Sequence, residues 1–272
     1  MGMARQAPAP SVDAFDAVAE VYDGHFTHSL IGEAQRSSVW REMDRHFHPG
    51  QRILELNCGT GVDALHLASR GLRVVACDAS PGMIAVARRN TAAWRHLIDL
   101  RCLTTEQAGE LEAEGRFDGV LSDFAGLNCV KDMKGVARTL ARIVNPGGRA
   151  VLCLFGRTCL WEIAWYLVRG KGRKAFRRLS HNGVEVALAP GHSVYVRYPS
   201  VRKLRQDFAP HFHLLGWRGI GIGVPPSYLE PLALLFPRLL RSAAWFDLHF
   251  SHYRGLRALA DHMVLVFERS NL

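Results

Sequence analysis

The sequence predicts an α/β protein in which short buried strands alternate with helices around a parallel sheet. Three observations carry this. Ile53, Leu54 and Leu56 form an apolar run of strand length that stops at Asn57-Cys58-Gly59-Thr60-Gly61, and helical spacing (Ala64, Leu65, Leu67, Ala68) begins at once. Further strand-like runs follow at Val74–Cys77, 98–103, Phe117–Ser122 and Arg149–Phe155, with helix-like stretches between them. The length of 272 residues, 48% hydrophobic and 22% charged, suits one large α/β domain with insertions.

Strand, glycine turn and helix together begin a nucleotide-binding unit. The glycines let a ligand approach bare backbone, and the helix N-terminus favours electronegative ligand atoms. Two cofactor classes compete at this point. Gly59-Thr-Gly61-Val-Asp-Ala64 fits the loose G-x-G-x-x-A dinucleotide fingerprint. Yet Glu55 lies inside the strand, just before the turn, where a carboxylate repels a pyrophosphate and suits a ligand with a cationic amine and sulfonium. Asp78 ends the next apolar run, placed to accept hydrogen bonds from ribose hydroxyls.

Leu54-Glu-Leu-Asn-Cys-Gly-Thr-Gly61 followed by Val75-Ala-Cys-Asp78-Ala79-Ser-Pro-Gly-Met83 resembles the class I S-adenosylmethionine-dependent methyltransferases. The family pattern has a glycine where this chain has Asn57, and asparagine tolerates positive φ better than most residues, so the turn survives. The resemblance implies a Rossmann-like methyltransferase fold: a mostly parallel seven-stranded sheet with helices on both faces, an antiparallel last strand, and insertions forming a substrate cap. It also implies that Glu55, Asn57, Gly59, Thr60, Gly61, Asp78, Ala79 and Met83 surround the cofactor. Thr105 and Glu106 stand where the family often has an acid near the adenine amino group, a poor match, and Glu106 also fits the first turn of a helix.

Before the first strand, Phe15, Val18, Ala19 and Tyr22 have helical spacing, and Phe15 to Asp23 resembles the family segment that folds over the cofactor. Tyr22 is thereby a candidate to touch cofactor or substrate, with an anchoring role in the core as the alternative. A second helix is expected from about Gln35 to Phe47. After Asp78, Ser80 caps a helix with Pro81 in its first turn, running to about Asn90. Phe117 to Phe124 gives the fourth strand and its loop. Ligands bind beyond the carboxyl ends of strands in open parallel sheets, so Asp123, Phe124 and Asn128 are expected beside the transferable methyl, with a loop-capping role as the alternative for Asp123 and Asn128. A helix over Asp132–Ile143, a turn at Asn145-Pro-Gly-Gly148 and a strand over Arg149–Phe155 follow.

The cofactor core is expected over about 12–155, an insertion over about 156–199, a second insertion or lid over about 221–258, and a closing strand over about 262–269. Within the first insertion, 158–169 reads as a helix, and Val184–Leu188 with Ser193–Tyr198 as a hairpin. Ser200–Phe208 resembles the family helix before a sixth strand at Phe212–Gly219. Tyr228 to Phe250 is an apolar helical stretch: a lid on the core or, alternatively, an opening onto a greasy substrate or a membrane face.

The formal charge of +9 is uneven, with residues 1–145 near neutral and the excess in the remainder, notably the run Arg169 to Arg178. An acidic small substrate, an anionic membrane surface and nucleic acid are the partners such a charge admits, and the absence of any RNA-binding signature disfavours the last. No apolar stretch is long enough to span a membrane, residues 1–11 read as a frayed start without the apolar core of a signal peptide, and six cysteines lack a C-x-x-C. A cytoplasmic location is expected. His46-Phe-His48 and His211-Phe-His213 have ligand-like spacing without a third ligand, so no metal is expected.

Methyl transfer is an in-line displacement in which alignment and desolvation of the nucleophile do most of the work, and a base is needed only for a protonated nucleophile. The expected activity is S-adenosylmethionine-dependent transfer to a small, hydrophobic or acidic acceptor. Tyr22 and Asn128 are the candidate catalytic residues, and His25, His28, His181 and His192 are the bases to test. A non-catalytic partner protein and a nicotinamide-dependent oxidoreductase are the alternatives.

Overall fold

The structure is a computed structural model that describes residues 10–271. Nine of the expected-frayed first eleven residues lie outside the described range, and helix α1 (Pro10–Tyr22) already runs from Pro10. Asp23–Thr27 continues it as one π-helical turn. Helix α2 (Leu30–His46) starts five residues earlier than its sequence suggests. Ser29 Oγ accepts from Gly32 N at 3.0 Å, a local cap, but the carboxylate of Glu230 also accepts from Leu30 N at 2.7 Å and Ile31 N at 3.0 Å. That second cap comes from far along the chain, so the local pattern does not reveal it.

Strands β1 (Arg52–Leu56), β2 (Arg73–Asp78), β3 (Ile98–Cys102) and β4 (Phe117–Ser122) alternate with α3 (Val62–Ser69) and α4 (Pro81–Asn90). A 3₁₀ segment, Thr105–Glu114, precedes β4 and opens with a capping box between Thr104 and Gln107. Ser80 caps α4 as its sequence indicates, accepting from Met83 N at 3.0 Å, and Asp132 caps α5 (Met133–Ile143). Strand β5 runs Val144–Phe155, so Asn145-Pro-Gly-Gly148 is a bulge inside the strand and not the separate turn expected. Asn145 Nδ2 holds it to Asp118 Oδ1 at 2.9 Å, and Gly147 takes up the kink at φ +77.

Beyond β5, α6 (Leu160–Val168) and the short α7 (Gly172–Ala175) lead to an antiparallel hairpin of β6 (Val184–Ala189) and β7 (His192–Val196). Helix α8 (Val201–Phe208) follows, then β8 (Phe212–Ile220). The apolar helical stretch comprises two helices, α9 (Glu230–Leu235) and α10 (Pro237–Phe250), broken where Pro237 forbids continuation. A single turn, α11 (Arg254–Arg257), leads to the closing strand β9 (His262–Arg269).

The sheet order is β3-β2-β1-β4-β5-β9-β8. The first five strands pair in parallel, and β9 slots antiparallel between β5 and β8. This is the expected fold class, with the strand order reversing between β1 and β4. Both faces are covered: α5 and α8 pack on one through Leu140, Leu204 and Phe208, and α2, α3 and α4 on the other through Val39, Leu67 and Ile84. The β6-β7 hairpin is bound back onto α1, where Val194 and Val196 bury Ala14. Helix α10 is likewise fixed: the Asp247 carboxylate accepts from the N–H groups of Ile222, Gly223 and Val224.

Candidate active site

At the reversal point, the carboxyl ends of β1, β2 and β4 open into a cleft. Its floor is the turn after β1. Asn57 takes φ +58 and Gly59 φ +52, so asparagine does adopt the left-handed conformation that the turn requires. The two glycines serve different needs. A Cβ on Gly59 would meet nothing within 4 Å, leaving backbone open for a ligand, whereas one on Gly61 would press Thr91 Cγ2 at 3.0 Å and Ala87 Cβ at 3.2 Å. Gly61 is therefore a packing glycine that lets α3 approach α4. Asn57 faces sideways, its Nδ2 donating to Thr105 Oγ1 at 3.1 Å and its Oδ1 accepting from Ser122 Oγ at 3.2 Å.

Asp78 Oδ2 accepts from Gly59 N and Oδ1 from Ser80 N, both at 2.9 Å, so one carboxylate ties the β1 turn to the start of α4. Burial raises its pKa, and these N–H groups oppose the rise. The N-terminal segment closes over the turn through Asp23, whose Oδ1 accepts from Thr60 Oγ1 at 2.6 Å and Oδ2 from Asn90 Nδ2 at 3.0 Å. Phe15 and Tyr22 thereby become cleft wall. Burial pushes the Tyr22 phenol up to about 12, so it stays protonated and can donate a hydrogen bond.

Four ionisable groups gather at the inner end. Arg36 Nη1 donates to Asp63 Oδ2 at 2.6 Å, and Trp40 Nε1 donates to Asp63 Oδ1 at 2.6 Å. Asp123 and Glu55 complete the set, and burial together with Asp63 pushes both carboxyls well above the usual range. For Arg36, burial alone would lower the pKa, but Asp63 and Asp123 hold the guanidinium charged. Among the described residues, Glu55 Oε2, Asp123 Oδ2 and Arg36 Nε are buried without a hydrogen-bond partner. Unspent acceptors and an unspent donor at one cleft mark a place built for a ligand with both cationic and acceptor groups. Phe124, at φ +43, stacks beneath the Arg36 guanidinium at 4.7 Å and meets the Phe26 ring edge-on at 4.9 Å.

Of the sequence-nominated residues, Tyr22, Asn57, Gly59, Thr60, Asp78, Ala79, Met83, Asp123 and Phe124 line the cleft. Glu55 lies beneath it, 1% exposed. Thr105 is spent on Asn57, and Glu106 is exposed on the first 3₁₀ turn, away from the cleft. Asn128 takes the loop-capping role that its sequence position also admits. It is buried, its Nδ2 donates to Arg197 O and its Oδ1 accepts from Phe155 N at 2.9 Å, so it bolts the hairpin to the end of β5 instead of facing the methyl site. The four nominated histidines do not line the cleft either. Sequence reading missed Arg36 altogether and assigned Asp63 no role. A lone arginine on a helix carries no signal of burial until Asp63 is folded against it.

Comparison with known proteins agrees with this geometry. A family described as a methyltransferase domain matches residues 53–148. A demethylmenaquinone methyltransferase from Beutenbergia cavernae is 33% identical over 212 residues, covering 76% of this chain and 82% of that one. Another from Clavibacter sepedonicus is 36% identical over 144 residues, 52% of this chain and 56% of that one, so there the chain matches little more than half of its relative. Among solved structures, the [4+2]-cyclase SpnF aligns over 97% of both chains with a TM-score of 0.63 at 15% identity, a likeness of fold alone.

Proposed function

This chain is a member of the class I S-adenosylmethionine-dependent methyltransferases, and from that premise we propose that its small-molecule acceptor is a planar, apolar ring of the quinol type. The observation that carries the reading is the set of unspent buried groups beside an aromatic wall: Glu55 Oε2, Asp123 Oδ2 and Arg36 Nε next to Tyr22 and Phe124. The relatives named as demethylmenaquinone methyltransferases lend it support. The nicotinamide and non-catalytic alternatives are not favoured: the carboxylates at the turn would repel a pyrophosphate, and the relatives are named as enzymes.

S-adenosylmethionine, when bound, supplies an electrophilic methyl on a positively charged sulfur. The chain's part is to hold and align. In this reading Asp78 accepts from ribose hydroxyls with the lone pairs that Gly59 N and Ser80 N leave free. Ala79 and Met83 flank the adenine, and Gly59 offers unobstructed backbone. Asp123 and Glu55 face the cationic amine and sulfonium, whose approach draws both acids towards ionisation. Phe124 and Tyr22 exclude water from the nucleophile, and Arg36 Nε holds an acceptor oxygen as it gains negative charge. The Arg36 guanidinium favours the ionised form of an enolic or phenolic oxygen, so such an acceptor can give its proton to water before transfer begins, and no histidine base is required.

We extend the reading to one methyltransferase domain in which 156–199 and 221–258 cap the acceptor, and to a cytoplasmic setting. The hairpin packed on α1 supports the first, and six free cysteines support the second. The test is methyl transfer from labelled S-adenosylmethionine to a chemically reduced naphthoquinol, with the oxidised quinone and a hydrophilic amine as controls. Transfer to the reduced ring, lost in Arg36→Met, is expected. Turnover on the amine alone, or an Arg36→Met enzyme with parental kcat, would overturn the acceptor assignment.

A further inference from the structure

Two segments outside the cleft, α6–α7 and α9–α10, leave an unusual amount of apolar surface uncovered. Val168 is 87% exposed, Leu234 63%, Leu235 72%, Leu239 67% and Trp245 59%. The segments are neighbours: Trp165 packs with Leu229 and Ala233, and the Tyr166 and Tyr228 rings lie 6.4 Å apart. Such exposure costs solubility and marks a contact surface.

Charge says what the contact is. Every carboxylate in these two segments is turned inward. Glu162 binds Arg177 and Arg178, Glu230 caps α2, and Asp247 holds the Ile222–Val224 amides. The cations Arg169, Lys171, Arg173, Lys174, Arg238 and Arg241 remain exposed beside the leucines. Arg177 and Arg178, the last of the basic run, are by contrast structural; Arg178 also donates to Asp261 Oδ1 at 2.7 Å. Two apolar segments whose own exposed charges are all cationic complement one kind of surface, a bilayer with anionic headgroups. A second copy fits poorly, because an isologous contact would set cation against cation. Among the described residues no helix is long and apolar enough to cross a membrane, so the contact is interfacial.

We propose that α6–α7 and α9–α10 dock this enzyme on the surface of an anionic membrane, Leu234, Leu235, Leu239 and Trp245 entering the headgroup region and the α6–α7 cations holding phosphates. The site and the docking face share a support: Glu230 caps the N-terminus of α2, and α2 carries Arg36 into the cleft. A docked face therefore sets the cleft one helix layer from the bilayer, within reach of a lipid-soluble acceptor. This inference stands apart from the acceptor assignment, since the surface is tested without turnover.

The experiment is sedimentation with vesicles of phosphatidylcholine alone and of phosphatidylcholine mixed with phosphatidylglycerol, at low and high sodium chloride. The full chain is expected to pellet with the mixed vesicles and to be released by salt. Each neutralised cation should weaken partitioning about fivefold, so joint Arg169→Gln, Lys171→Gln, Arg173→Gln and Lys174→Gln should lose about six hundredfold. Leu235→Ser with Leu239→Ser should lose at least about tenfold. Both variants should bind S-adenosylmethionine like the parent, which checks that they fold. No association with mixed vesicles, association that neither variant changes, or a dimer dissolved by Leu235→Ser with Leu239→Ser would overturn the proposal.

Discussion

Replacing Asp123 with asparagine should do two opposite things: steady the ligand-free protein and weaken its hold on S-adenosylmethionine. Asp123 is buried among Glu55, Asp63 and Arg36, with Oδ2 unpartnered, while Oδ1 accepts from Phe124 N at 2.7 Å. Asparagine keeps the second bond, and with it the loop that carries Phe124 and Ala125 at positive φ. It removes an acid whose ionisation the ligand-free site opposes and whose Oδ2 has no hydrogen-bond partner, relieving about 1–3 kcal/mol. The same acid faces the cationic ligand. A hydrogen bond to a charged group contributes about 1.5–3 kcal/mol, so the Kd should rise roughly ten- to a hundredfold.

The pH dependence separates this from a generic loss of fit. Burial holds the folded Asp123 pKa above its unfolded value, so the folded state keeps the proton longer. Its contribution to stability is then greatest at low pH and is lost as pH rises from about 4 through the folded value. Ligand binding favours the ionised form, so parental affinity should tighten as pH rises towards the raised folded value, while the Asp123→Asn profile flattens. Isothermal titration across that range, with denaturant melts of ligand-free parent and variant, reads both effects. Subtracting variant from parent cancels groups common to the two. An asparagine variant that binds as tightly as the parent, or unfolds more readily without ligand, would refute the assignment of this acid to the cation.

Asp78→Ala removes the carboxylate that joins Gly59 N to Ser80 N and faces the ribose. Titration should show S-adenosylmethionine weakened by at least about tenfold, with secondary structure retained by circular dichroism. Arg178→Met leaves Glu162 and Asp261 buried without their shared cation, and denaturant unfolding should report a loss of about 3–5 kcal/mol. Burial pushes the His262 imidazole down to about 4, below its unfolded value, so the unfolded state takes the proton first and stability falls as pH drops from about 6.5 towards 4. His262→Gln should flatten that part of the stability curve by about 3 kcal/mol; an unchanged slope in pH-dependent melts would show that His262 is not the group.

Legibility followed distance along the chain. The turn at Asn57 to Gly61, the Ser80 cap with Pro81, the β6-β7 hairpin and the Pro237 break are governed by a few consecutive φ angles and donors. The cap and the hairpin are legible in consecutive residues, whereas the break is masked by the apolar run that spans it. The bulge at Asn145 to Gly148 misled as well: its residues spell a turn, and only pairing with Asp118 and Phe117 keeps them in the strand.

What the sequence determined by itself is the cofactor half: a strand, a left-handed turn free of obstruction at Gly59, and an acid at the end of each of the first two strands. Those features are local, and backbone stereochemistry with hydrophobic periodicity suffices to specify them. Only the tertiary structure decided that Arg36 enters the cleft to meet Asp63, that Asn128 is spent on Arg197, and that Arg178 turns inward to Asp261 while its neighbours stay outside. Whether a charge is a solvated surface group or half of a buried pair depends on which distant segment folds over it, and no pattern within one helix or loop carries that information.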